Sequence, residues 1–229
     1  MSGFLDHIAV APTITVAELV QDRPLVVLAP HPDDETLGCG AILFDAARMG
    51  TACSIICVTD GSASHPGSRE YPPDRIARLR EAELRAACAI LAPDADVTWL
   101  GYPDCHAPRD AAAAERIAAM MPPRAMLLAS WGGDPHIDHE SCAALARLIA
   151  DLRPDILLRF YPIWGRFTDA TAPAVHLRTT PEAAAAKARA LACHRSQMTK
   201  MIDDDPDGFV MSEAHQQHFL SYPEVILAL

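Results

Sequence analysis

The chain has no glycine/serine linker, no block of like charge and no internal repeat, so its 229 residues are expected to form one domain. It lacks any apolar run approaching the roughly 18 residues of a membrane helix. Half of the residues are hydrophobic, but the longest such runs are strand-length and stop at Pro, Asp or Gly. The opening stretch, with Asp6 and Glu18, has neither a basic segment nor a continuous apolar one, so no secretory signal is expected and a cytoplasmic location is. Paired-cysteine spacing is missing too. The seven cysteines (39, 53, 57, 88, 105, 142, 193) are odd in number, and Cys53 and Cys57 fall in an apolar strand pattern, which suits reduced structural thiols. Basic residues are few, 19 Lys and Arg against 30 Asp and Glu, for a formal net charge of -11. Phosphate binding needs a basic patch, so no nucleic-acid partner is expected, nor any membrane insertion.

Strand-like runs are present at Leu25 to Ala29, Cys53 to Val58, Val97 to Leu100, Ala125 to Ala129 and Ile156 to Tyr161. Helical patterns lie between most of them, at Ala41 to Met49, Asp74 to Leu91, Ala111 to Met121 and His139 to Leu152, with one more at Glu182 to Cys193. That alternation predicts an α/β fold with a parallel, doubly wound sheet. Long connections are expected at Asp60 to Pro73 and Tyr161 to Pro181. Past about Ser196 the pattern weakens, which predicts a core of about 22–197 and an irregular cap of about 198–229 with at most short helices.

Two polar clusters follow apolar runs: His31-Pro32-Asp33-Asp34-Glu35 after Ala29, and Asp134-Pro135-His136-Ile137-Asp138-His139-Glu140 after Ala129. In open α/β sheets ligands bind beyond the carboxyl ends of the strands, where both clusters fall. His31 and Asp34 are three apart on a turn stiffened by Pro32, so both can face one point; His139 would make a third ligand and leave a position for water. Such a site suits zinc, which lowers the pKa of its water to about 7, and equally suits iron(II). Asp33, beside a ligand without being one, is the candidate general base. His136 can stabilise an oxyanion or, held as imidazolium, protonate a leaving amine, with Asp138 orienting it and raising its pKa. Taken singly, each cluster also reads as a strand-end turn, with Asp34, Thr36 or Asp138 capping the helix that follows.

Together with Gly38 and Gly40, these motifs resemble the PIG-L (LmbE-like) family of metal-dependent N-acetylglucosaminyl deacetylases. Thr59-Asp60-Gly61, Leu79-Arg80-Glu81-Ala82-Glu83-Leu84, Leu100-Gly101-Tyr102-Pro103-Asp104 and His194-Arg195-Ser196-Gln197 match family features in family order. The resemblance implies a Rossmann-like, mostly parallel sheet flanked by helices. It further implies His31, Asp34 and His139 as metal ligands, Asp33 as base, His136 as acid or oxyanion stabiliser, Asp138 as its orienting partner, and zinc or another divalent ion such as Fe2+ as cofactor. Arg80 matches a substrate-pocket arginine, the alternative being an ion-paired helix residue. Asp104 and His194 are candidates for substrate contact, against a turn role and a helix-end role. Glu35 either supports the ligands or opens a helix. Ile137 stands where many relatives carry proline, and whether Asp134 enters the site is open.

The expected partner is a small amino-sugar conjugate losing its N-acetyl group to a metal-activated water. The alternatives are an amidase of the same family acting on a non-acetyl or non-sugar amide, such as a thiol conjugate or lipoglycopeptide, and a non-catalytic metal-containing glycan-binding protein. Trp131, Tyr161 and Trp164 can stack on a sugar ring or anchor loops on the core. A homo-oligomer is compatible with the sequence.

Overall fold

The computed structural model describes residues 3–227; residues 1 and 2, and residues 228 and 229 of the expected cap, lie outside the described residues. The chain begins with α1 (Phe4–Ile8), β1 (Thr13–Thr15) and α2 (Val16–Val20). It then alternates through β2 (Leu25–Ala29), α3 (Asp34–Arg48), β3 (Cys53–Thr59), α4 (Pro73–Leu91), β4 (Asp96–Tyr102), α5 (Ala111–Met120), β5 (Met126–Ser130), α6 (Ile137–Leu152) and β6 (Leu157–Tyr161). A 3-10 turn (Trp164–Phe167), β7 (Ala174–Arg178), α7 (Pro181–Leu191), α8 (Arg195–Met198), α9 (Glu213–Ser221) and β8 (Val225–Leu227) follow.

These strands make one eight-stranded sheet in the order β1-β7-β8-β6-β5-β2-β3-β4, parallel except for β8, which runs antiparallel to both neighbours. Period-two alternation sorts the central strands' side chains between two cores. Leu25, Val27, Ile55, Cys57 and Leu128 pack towards α3, α4 and α7. Val26, Leu28, Ile56, Val58 and Leu127 pack towards α5 and α6. With both faces covered, β2 reads as an unbroken apolar run, each such side chain contributing about 1.5–3 kcal/mol on burial.

From β2 the chain winds outward to β3 and β4, then returns to β5 on the other side of β2. The crevice at this reversal lies beyond the carboxyl ends of β2 and β5, the strands that precede the two polar clusters. The mostly parallel α/β sheet expected from the alternation is therefore present, with β1, β7 and β8 added to the five expected strands. Helix α3 starts at Asp34, not Ala41, because Gly38 and Gly40 hide its first two turns from a propensity reading. Both glycines allow close approach: a Cβ at 38 would lie 2.3 Å from the Tyr161 ring, and one at 40 would lie 3.1 Å from Lys187 Cγ. The second long connection holds the 3-10 turn and β7, and the expected cap supplies β8, inserted between β6 and β7. The first, from Asp60 to Pro73, contains no helix or strand before α4.

A buried ion pair reaches the middle of α3. Lys187 Nζ donates to the Leu37 carbonyl (2.7 Å) and pairs with Glu224 Oε1 (2.7 Å), while the Glu224 oxygens accept from the backbone N–H groups of Ala41 and Ile42, both at 2.8 Å. All seven cysteines are free thiols, five of them buried. Among the described residues no helix is long and apolar enough to cross a membrane.

Candidate active site

The Pro30 carbonyl, just past β2, accepts from both the backbone N–H and the hydroxyl of Thr59, fixing the strand end before the chain turns into α3. His31 N–H donates to Asp34 Oδ2 (3.0 Å), and the same oxygen lies 3.3 Å from His31 Nδ1 and 3.3 Å from His139 Nε2. The three expected ligands thus converge from two motifs. Each imidazole uses its other nitrogen elsewhere. His31 Nε2 lies 3.1 Å from both Asp104 Oδ1 and Asp138 Oδ2, and His139 Nδ1 donates to Asp134 Oδ2 at 2.9 Å. With the rings neutral, as metal ligands must be, these contacts would hold the ring protons on the far side and turn the lone pairs towards Asp34.

His139 Nε2 is buried without a hydrogen-bond partner although it faces a carboxylate oxygen. Acceptors gathered this way suit a cation: at metal–ligand bonds of about 2.0–2.1 Å, tetrahedral ligand atoms sit roughly 3.3 Å apart. The donor set of two nitrogens and one oxygen fits a divalent ion, and the residues present therefore fit the group. His31, His136 and His139 also lie close enough to share one, so His136 borders the same point. Burial opposes charge on His139, but Asp34 and the bond to Asp134 outweigh it and push its pKa up to about 9. His31 is likewise raised, by Asp104, Asp138 and Asp34 against burial. An incoming metal must displace protons, so its affinity falls as pH is lowered.

Asp33 occupies the helix N-cap position at φ 142°, a strongly disfavoured backbone for a non-glycine residue. It is held from both sides. Its N–H donates to Glu35 Oε2 (3.0 Å), its carbonyl accepts from Thr36 and Leu37, and Arg80 Nη2 lies 3.3 Å from its Oδ2. Burial and the charge of Asp34 raise the Asp33 pKa to about 7 against the pull of Arg80.

Three expected roles change. Asp138 does not orient the His136 ring: its carboxylate accepts from Cys105 N–H (2.7 Å) and Ala107 N–H (2.9 Å) and contacts His31. The first turn of α6 aims this side chain at the 104–107 loop. His136 Nδ1 instead accepts from the Asp138 backbone N–H (3.2 Å), which leaves the ring proton on Nε2. Burial and the neighbouring His31 and His139 lower the His136 pKa, making it a neutral donor instead of an imidazolium. His194 is wholly buried and does not line the cavity; its Nε2 lies 3.2 Å from Glu35 Oε1, behind Asp33. Arg80 and Asp104 do line it, but their polar atoms serve the protein. Arg80 donates to the Gly61 and Pro32 carbonyls, and Asp104 accepts from Ala63 N–H while contacting His31.

Asp134 stands behind His139. Its remaining hydrogen bonds come from Ile163 and Gly165 N–H, at 2.9 and 2.7 Å, so it fixes the His139 ring from behind. The sequence signalled it only as an extra carboxylate. A cavity of about 770 Å³ opens above the site, and one of its walls was missed altogether: Phe167, Phe209, Met211 and His215. Among the three aromatic stacking candidates, Trp164 lines the cavity. Tyr161 is buried with its hydroxyl on the Leu28 carbonyl, and Trp131 packs on Phe4.

A family model described as PIG-L: GlcNAc-PI de-N-acetylase matches residues 26–169. A protein of Nakamurella multipartita named 1D-myo-inositol 2-acetamido-2-deoxy-alpha-D-glucopyranoside deacetylase is 32% identical over 218 residues, covering 88% of this chain and 72% of its own. A Kineococcus radiotolerans protein of the same name is 28% identical over 160 residues, or 66% of this chain, and the match spans only 42% of that relative's length. Among solved structures, a conserved protein of Thermus thermophilus superposes with a TM-score of 0.63 at 25% identity, over 90% of this chain and 94% of that one.

Proposed function

The chain belongs to the PIG-L family, and on that premise we propose that it is a metal-dependent amide hydrolase that removes the N-acetyl group of an N-acetylglucosamine-type conjugate. The reading is carried by the convergence of His31 Nδ1, Asp34 Oδ2 and His139 Nε2 beside the buried carboxylate of Asp33, which is not one of the three and stands on a strained backbone. Zinc fits these ligands, and Fe2+ would as well. When bound, the ion would supply Lewis acidity, polarising the amide carbonyl and making hydroxide available near neutral pH.

The remaining chemistry belongs to the protein. Asp33, held by Arg80 and Glu35, accepts the proton of the attacking water and passes it to the leaving nitrogen. His136, neutral with its proton on Nε2, donates to the oxygen that gains charge as the carbonyl is attacked. The carboxylates of Asp138 and Asp134 hold the two ligand rings in the tautomers that face Asp34. The products are acetate and a free amine. A cytoplasmic setting suits the seven unpaired thiols.

Acetate release from a panel of N-acetylglucosamine conjugates tests this. The metal-loaded protein releases acetate, a chelator stops it and zinc restores it; inertness towards the whole panel counts against the reading. The pH profile gives a second check. A base must be ionised, so kcat/KM falls up to tenfold per pH unit on acidification below the Asp33 pKa. Arg80 is the largest influence holding that pKa down, so Arg80→Gln moves the acidic limb to higher pH. An unmoved limb would detach Asp33 from the pH profile.

A further inference from the structure

The cavity has two unlike sides. One is lined by the polar side chains of Asp33, Asp34, Asp104 and His136; the other is made by the cluster of Trp164 and Phe167 of the 3-10 turn with Phe209 and Met211 of the C-terminal segment. That second side is built, not draped. Phe209 N–H donates to the Ser64 carbonyl (2.7 Å) and Met211 N–H to the Gln197 carbonyl (2.8 Å), which fixes the segment against the loop after β3 and against α8. The Trp164 ring meets Phe209 at 86° and Phe167 at 48°, with centroids 5.9 and 6.4 Å apart.

A sugar ring stacks on one open aromatic face, whereas rings meeting at steep angles enclose a volume. Phe167 and Phe209 stay 38% and 39% exposed at its edge, a cost in hydration that a bound apolar group would remove. At about 770 Å³ the cavity lies in the upper part of the range of about 300–1,000 Å³ that takes drug-sized ligands, so it has room beyond one acetylated ring.

We propose that the substrate carries an apolar substituent, an aryl ring or an alkyl chain of several carbons, which packs into the box of Trp164, Phe167, Phe209 and Met211 while its amide lies over Asp33 and Asp34. This rests on the amide-hydrolase reading and narrows its substrate class. Either part of the conjugate can bring such a group, the acyl chain or an aglycone on the amine side.

Three compounds separate these sources: N-acetylglucosamine, its octyl β-glycoside and N-octanoylglucosamine. In the wild type, kcat/KM for one of the octyl compounds exceeds that for N-acetylglucosamine by at least roughly tenfold. That ratio falls towards one in the Phe167→Ala/Phe209→Ala variant. A winning glycoside places the apolar group on the aglycone, and a winning octanoyl amide places it on the acyl chain. Equal kcat/KM for all three, or a ratio undiminished in the variant, overturns the proposal. Phe209→Gln alone repeats the comparison with a smaller change to a rim residue. Calorimetric titration with octyl β-glucoside below its micellar concentration keeps the two readings apart, since this probe has no amide to cleave. Saturable binding that weakens at least tenfold in the double variant supports the box even if no amide is hydrolysed. Hydrolysis without such binding leaves the enzyme reading standing and removes the box.

Discussion

Replacing Asp33 by Asn leaves the chain folded and metal-loaded but slows turnover by about 10²–10⁴-fold, the range over which a positioned general base acts. Asn is nearly isosteric, so the backbone bonds from Asp33 N–H to Glu35 and from Thr36 and Leu37 to the Asp33 carbonyl persist. None of the three converging ligand atoms belongs to residue 33. What is lost is the ability to take a proton. Metal analysis and kcat on the same preparation check both halves, and turnover within a few-fold of wild type would remove Asp33 from the base role.

His139→Ala behaves differently, losing metal and activity together. Deleting the ring removes one of the three acceptors and leaves Asp34 Oδ2 with His31 Nδ1 alone. Asp134→Asn weakens metal binding by a smaller amount, about 10–100-fold, because it removes the charged partner that fixes the tautomer of His139 without removing the ligand. Metal content after dialysis and a competition titration with a chelator rank the three proteins. Full metal occupancy in His139→Ala would move the ion elsewhere in the cluster, for instance to His31 with Asp104 and Asp138.

The sheet was legible because both of its faces are covered, which turns β2, β3 and β5 into apolar runs that no helix periodicity disguises. Three-residue strands such as β1 and β8 carry no such signal, and β8 joins the sheet only through partners distant in the chain. At the site, the convergence of the candidate ligands was readable from two short motifs because each follows a strand that ends at one crevice. Side-chain direction was not. Asp138 sits two residues from His136 in sequence, yet its carboxylate crosses to His31, 107 positions away. The aromatic wall was illegible for a different reason: it is assembled from a 3-10 turn and an irregular segment, where no period marks the face a residue will present.

The Lys187–Glu224 pair has a bearing on the order in which the protein can mature. A nascent chain that ends short of Glu224 already contains both polar motifs and every candidate ligand. Its α3 nevertheless lacks the carboxylate that receives the N–H groups of Ala41 and Ile42, 183 and 182 positions upstream. Its sheet is also in two pieces, since β8 is the strand that joins β7 and β1 to β6. Contacts of such sequence separation form late. The helix that presents Asp34 therefore gains these two acceptors only after the ribosome has delivered the end of the sheet.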